Sequence, residues 1–143
     1  MNQFKFNKER LRASGLRPTK QRLVICQILF DRKETFHFTI EKLKKIAEKD
    51  SKKKISLATL YNTVHAFKKK GYLKEISLKG NKTFFDTNIK NHHHFYDEET
   101  CQLIDIKNEN ISLNNMPKIP NGRKFKNLEI TILIASNNQK QKK

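Results

Sequence analysis

With 143 residues, 36% of them hydrophobic and none Trp, the chain can build one domain of ordinary size or two small ones around a modest core. It shows no signal peptide and no run of about 18 apolar residues, which argues against a helical membrane span and leaves a soluble, cytoplasmic protein as the expectation. The formal net charge of +17 is uneven: residues 1–80 hold 21 Lys/Arg against 7 Asp/Glu (+14), residues 81–143 only 10 against 7 (+3), as a polyanion-binding module joined to a nearly neutral one would be.

Asn7 to Ser14 reads as a short helix with Leu11 inward, stopped at Gly15. In the LRPTKQR stretch that follows, Pro18 biases Arg17 away from helical geometry and Thr19 can cap a helix running to about Phe30. Arg17, Lys20 and Arg22 then cluster at a helix N-terminus. The macrodipole favours negative charge there, so cations suit the place only if phosphates or a groove lie opposite. Cys26, inside the apolar run LVICQILF, reads as a buried small residue. Thr39 caps the next helix, with Ile40, Leu43, Ile46 and Ala47 inward and an end near Asp50, and an SKKK turn follows.

Ser56 to Leu73, SLATLYNTVHAFKKKGYL, organises the rest. Ser56 is a good N-cap, and Leu57, Leu60, Val64 and Phe67 at helical spacing predict one buried face. The opposite face carries Ala58, Asn62, His65 and Lys69, with Tyr61 on the border, and Gly71 closes the helix. A greasy back, a short polar front and a cationic tail suit a DNA major groove. An ordinary amphipathic surface helix has the same pattern, and the surrounding elements decide between them.

Residues 72–78 and 82–86 read as two strands around a Lys79-Gly80-Asn81 turn. Three or four helices and then a basic hairpin is the order of a winged helix-turn-helix. Thr87 to Asn91 reads as a hinge. Beyond it, strands are expected at His93–Tyr96, Gln102–Ile106 and Leu128–Ile134, while Pro117, Pro120 and Gly122 keep any helix between them short. The LEITILI strand would be an exposed edge unless covered, which pairing with a second copy achieves. The expected fold is α+β: a winged helix-turn-helix over residues 1–86, a hinge at 87–91, a small α/β dimerisation and ligand-sensing domain over 92–136, and a disordered tail from 137.

His92, His93 and His94 stand just after the hinge. On a strand His92 and His94 share one face and His93 the other, so one metal cannot easily use all three. The run is either a solvated polar turn, a pair of metal sites, or a source of an axial haem ligand. Asp86 and His37 are both candidates to approach a site at the hinge, although His37 taken alone reads as a surface or capping residue.

With LRPTKQR, FHFTIEKL, SLATLYNTVHAFKKKGYL, KTFFDT and HHHF in that order, roughly residues 8–135 resemble the ferric-uptake-regulator superfamily. DTNIKNHHHFY followed by LIDI resembles, more narrowly, the Irr-type iron-response regulators. The resemblance implies a homodimeric, cytoplasmic, sequence-specific transcriptional regulator of iron-homeostasis and haem-biosynthesis genes that binds a palindromic double-stranded operator and responds to haem. It places Tyr61 and Asn62 at the bases, and Arg17 and Arg22 at the minor groove and backbone. The full candidate DNA-binding set is Arg17, Lys20, Arg22, Ser56, Ala58, Thr59, Tyr61, Asn62, His65 and Lys69. His92, His93 and His94 are the haem candidates, and the family's regulatory metal site carries over to His37, Asp86 and His93, with Asp105 added. Three departures stand out: Phe95 replaces a further histidine, the paired CxxC motifs of a structural four-cysteine zinc site are absent, and neither Cys26 nor Cys101 precedes a proline. A divalent-metal (Fe, Mn or Zn) sensing repressor is the alternative within this class. Outside it stand a nonspecific basic nucleic-acid binder and, weakest, a nuclease, for which no acidic cluster accompanies the histidines.

Overall fold

Side-chain caps set the helix starts in the computed structural model, which describes residues 2–51 and 54–137. The first helix, α1 (Gln3–Ala13), begins four residues earlier than expected because Asn2 accepts a hydrogen bond from the Phe4 amide. Thr19 caps α2 (Lys20–Phe30) through the Arg22 amide, and Thr39 caps α3 (Ile40–Ser51) through the Lys42 amide at 3.1 Å. Ser56 caps α4 (Leu57–Lys70), which ends at Gly71 with φ +94°, a left-handed position that glycine takes without strain.

Leu11, Ile25, Leu29, Leu43, Leu60, Val64 and Phe67 are almost wholly buried and bind the four helices into one core. Each such side chain contributes about 1.5–3 kcal/mol of burial. Strand β2 (Lys74–Leu78) and strand β3 (Lys82–Asp86) form the expected hairpin, turned at Gly80 and Asn81, both with positive φ. A two-residue strand absent from the sequence reading, β1 (His37–Phe38), pairs antiparallel with β3 and makes the sheet order β1-β3-β2. His37 is therefore a strand residue, not a helix cap.

The chain divides into two compact units between Ile89 and Lys90. In the second, β4 (His92–Asp97) is central, antiparallel to β5 (Gln102–Lys107) and parallel to β6 (Thr131–Ile134). The α/β character expected here is corrected: among the described residues the only helical piece is a 3₁₀ turn, Asn108–Asn110. Pro117 and Pro120 remove backbone donors and Gly122 takes φ +76°, so no α-helix forms across that stretch. The last strand is also shorter than the Leu128–Ile134 expectation. The Leu128 amide donates to Asn127 Oδ1 and the Ile130 amide to His93 Nδ1, so neither donor is left for a ladder.

The expected disordered tail lies, from residue 138 on, outside the described residues, as do residues 52 and 53 of the SKKK turn. Among the described residues no helix is long and apolar enough to cross a membrane.

Candidate nucleic-acid interface and metal-ligating residues

The α2 start is built from short-range contacts. Arg22 Nη1 donates to the Arg17 carbonyl at 3.0 Å, which also accepts the Thr19 amide at 2.9 Å. Arg17 and Lys20 are exposed, whereas Arg22 is half-buried and its Nε finds no partner among the described residues. Arg22 thus fastens the Arg17 loop, and the two exposed cations are the ones free to meet a phosphate. Gln21 Nε2 reaches the Lys54 carbonyl at 3.5 Å, bringing the start of α2 beside the approach to α4.

On α4, Ala58, Tyr61, Asn62, His65 and Lys69 are exposed together, as helical spacing predicts. Ser56 and Thr59 are engaged locally: Ser56 Oγ accepts the Thr59 amide at 3.1 Å and lies 2.8 Å from Thr59 Oγ1. One expectation fails here, because Leu57 is 49% exposed and Thr63 takes the buried seat at 0%. Thr63 can be buried because its hydroxyl donates to the Thr59 carbonyl at 2.7 Å. At about 100° per residue, Leu60, Thr63, Val64 and Phe67 fill the inward arc and leave Leu57 at its border beside Tyr61. The sequence signal was the Thr59–Thr63 spacing of four, which lets a helical Thr back-bond.

Residues that could ligate a metal ion occur in each unit. In the first, strand register sets His37 opposite Asp86, with Nε2 and Oδ2 3.2 Å apart. Asp86 is wholly buried, and its Oδ1 accepts the Asn88 amide at 2.8 Å. In the second, His92 and His94 share one face of β4, their Nε2 atoms 2.9 Å apart. Asp105 Oδ1 stands 3.2 Å from His94 Nε2 and 3.4 Å from His92 Nε2, because the β4–β5 register pairs His94 with Asp105. His92 Nδ1 lies 2.6 Å from the Lys90 carbonyl. A carbonyl oxygen can only accept, so Nδ1 donates there while Nε2 faces His94 and Asp105; an Nδ1–H held by a carbonyl is a feature of many ligating histidines.

His93 stands apart from this cluster. Its ring lies on the other face, where Nδ1 accepts the Ile130 amide at 3.0 Å. His92, absent from the expected metal set, is the histidine that shares a face with His94 beside Asp105. Alternation along the strand already separated His93 from its neighbours, and counting back from the Asp97–Gln102 pair would have set Asp105 opposite His94. All three histidines are buried, so the run is no solvated turn.

Two imidazole nitrogens and a carboxylate in the second unit, and a histidine–carboxylate pair in the first, are ligand types that Zn, Fe and Mn accept. The cysteines cannot add to it as a four-cysteine site, since the chain has only two. Cys26 is fully buried and burial pushes its thiol up to about 12, which makes it inert. Cys101 is exposed at the β4–β5 turn, where Asp97 Oδ1 accepts the Glu99 amide at 2.9 Å and the Thr100 amide at 3.2 Å.

The model of the ferric uptake regulator family matches residues 13–134. The chain is similar, at 32% identity over 97 residues, to the peroxide-responsive repressor PerR of Staphylococcus aureus; the match covers 68% of this chain and 64% of that protein's length. Among solved structures, it is similar to a zinc-bound manganese uptake regulator (22% identity, TM-score 0.63, covering 94% of this chain and 99% of that one). It is likewise similar to the ferric uptake regulator Fur of Helicobacter pylori (16% identity, TM-score 0.67, covering 96% and 94%). These two structural likenesses concern the fold, a mixed α+β arrangement.

Proposed function

The chain belongs to the ferric uptake regulator family, and on that footing we propose that it is a cytoplasmic, homodimeric transcriptional regulator whose grip on double-stranded DNA is set by a divalent metal ion. The observation that carries this reading is the convergence of His92, His94 and Asp105, with His92 Nδ1 held by the Lys90 carbonyl. The proposed donors within the second unit are His92, His94 and Asp105, and the family resemblance adds His37 and Asp86 as candidates. A bound dication would neutralise the carboxylates and tie together the strands that carry its ligands. Only residues 87–91, the proposed hinge, separate Asp86 from His92.

DNA binding is supported by the excess of basic residues before residue 80 and by the exposed face of α4. In this reading residues 1–86 are a winged helix-turn-helix: α4 enters the major groove, the β2–β3 hairpin is the wing, and Arg17 and Lys20 hold the backbone. Residues 92–136 are proposed to form the dimer. The exposed apolar side chains of Ile104, Leu113, Met116, Phe125, Ile132 and Leu133 support this, since a second copy would cover them. A dimer would present two reading helices to a palindrome.

Haem fits this site less well than a metal ion. An axial histidine needs an open face for the macrocycle, whereas His92 and His94 are each 6% exposed and turned toward one another and Asp105, and His93 is 2% exposed and bonded to Ile130. The narrower Irr-type assignment, and with it haem-synthesis genes as targets, depends on that ligand.

The test is selection of duplexes from a random-sequence pool by the full chain with Mn²⁺ or with chelator, alongside titrations of Mn²⁺, Zn²⁺ and haem. A palindrome enriched only with metal, and metal binding lost in His92→Ala/His94→Ala, is the expected outcome. A Soret shift accompanied by haem-dependent loss of the enriched duplex would restore the haem reading. No enriched sequence under any condition would leave a nonspecific basic binder.

A further inference from the structure

Tyr61 and His65 lie one turn apart on the exposed face of α4, and their rings stack, with centroids 5.9 Å apart and planes 15° from parallel. His65 in turn meets Phe85 of β3 edge-on, at 6.0 Å and 84°. Phe85 is 2% exposed and stacks on Phe38 of β1 at 5.6 Å; Phe38 stacks on Phe36 at 5.6 Å. The series begins at a ring that is 43% exposed and ends in rings that cannot move without opening the core. The rings thus form a continuous series from Phe38 through Phe85 and His65 to Tyr61.

A Tyr on an open helix face exchanges among rotamers, and freezing one on contact with a ligand costs rotamer entropy. A ring already held against a neighbour has met that cost in advance, which tightens binding without adding a contact. We propose that His65 is a positioning residue for DNA recognition: it acts through Tyr61, holding that ring in its reading orientation against the Phe85 backstop, and does not itself read a base. The inference rests on the reading of α4 as the DNA-reading helix and refines it, since His65 also lies on the outward face and would otherwise count as a direct contact.

The test is a double-mutant cycle on the duplex that the wild-type chain enriches from a random pool, with a scrambled duplex as control, at one salt concentration. His65→Ala should weaken the enriched duplex about 3- to 10-fold, the worth of one ordered side chain. It should leave the scrambled duplex unchanged, and Tyr61→Ala/His65→Ala should bind no worse than Tyr61→Ala alone. His65→Phe, which keeps the stack and loses the ring nitrogens, should bind within about twofold of wild type. Losses that add in the double variant, or a His65→Phe as weak as His65→Ala, would overturn the proposal and make His65 a direct contact. Without DNA, the NMR shifts of the Tyr61 ring protons should move in His65→Ala and stay in His65→Phe; unmoved shifts in His65→Ala would also overturn it. If the wild type enriches no sequence, the DNA-binding reading fails instead, and the ring shifts tell the two failures apart.

Discussion

Asp86→Asn separates a carboxylate kept for a cation from one kept for the fold. The Asp86 side chain is wholly buried; Oδ1 accepts the Asn88 amide at 2.8 Å and Oδ2 faces His37 Nε2 at 3.2 Å. Asparagine has the same shape, and its oxygen can keep the Asn88 amide while its NH₂ donates to His37. Without metal the variant should therefore unfold within about 1 kcal/mol of wild type, the worth of one rearranged hydrogen bond. With metal the outcome differs, because the variant lacks a charged ligand. Ligand stabilisation is about 2.7 kcal/mol at a concentration 100 times Kd. A ligand loss that weakens binding about 100-fold leaves RT ln 2, roughly 0.4 kcal/mol. At about 4–8 °C per kcal/mol for a unit of this size, a wild-type metal-induced rise in Tm of at least about 10 °C should shrink to about 2–3 °C. Melting followed by circular dichroism, with and without Mn²⁺, reads both arms. A variant with the full metal-induced rise would remove Asp86 from the ligand set. A metal-free variant destabilised by several kcal/mol would show that the carboxylate serves the fold.

Tyr61→Ala and Asn62→Ala should each weaken an enriched duplex by about 1–3 kcal/mol, whereas Lys69→Ala should weaken enriched and scrambled duplexes alike, as measured by anisotropy. Equal losses on both duplexes for Tyr61 and Asn62 would take α4 out of base reading. Native protein should react with one equivalent of a thiol reagent at Cys101, and with a second at Cys26 only on unfolding, because burial holds the Cys26 thiol near 12. The Thr100 and then the Glu99 amide hold Asp97 below its ordinary value of 3.8. Their support for the β4–β5 turn should be complete above that value and fade only as pH falls through the lower folded one. An Asp97 carboxylate titrating by NMR at or above 3.8 would contradict this.

Helices α2, α3 and α4 were legible because their caps are local: Thr19, Thr39, Ser56 and Gly71 all stand where short-range chemistry alone puts them, whereas the equally local Asn2 cap of α1 was missed. The hairpin was legible for the same reason. Strand β1 was not, since a two-residue strand has no period and exists only because β3 pairs with it over a long sequence separation. Leu57 misled because hydrophobicity marks a face only to within a residue's width, and Thr63 could take the inward seat once its hydroxyl was satisfied. At the histidine run, alternation correctly grouped His92 with His94, yet the carry-over from family resemblance favoured His93. The deciding contact, His93 Nδ1 with the Ile130 amide, joins residues 37 positions apart and leaves no local trace.

The coupling of metal to sequence-specific DNA binding is tested most directly by anisotropy of the enriched and scrambled duplexes, each with Mn²⁺ and with chelator. Mn²⁺ should tighten the enriched duplex about 5- to 150-fold and leave the scrambled one unchanged, with the metal effect lost in His92→Ala/His94→Ala. Equal affinity for the two duplexes, or an enriched-duplex affinity indifferent to metal, would contradict it.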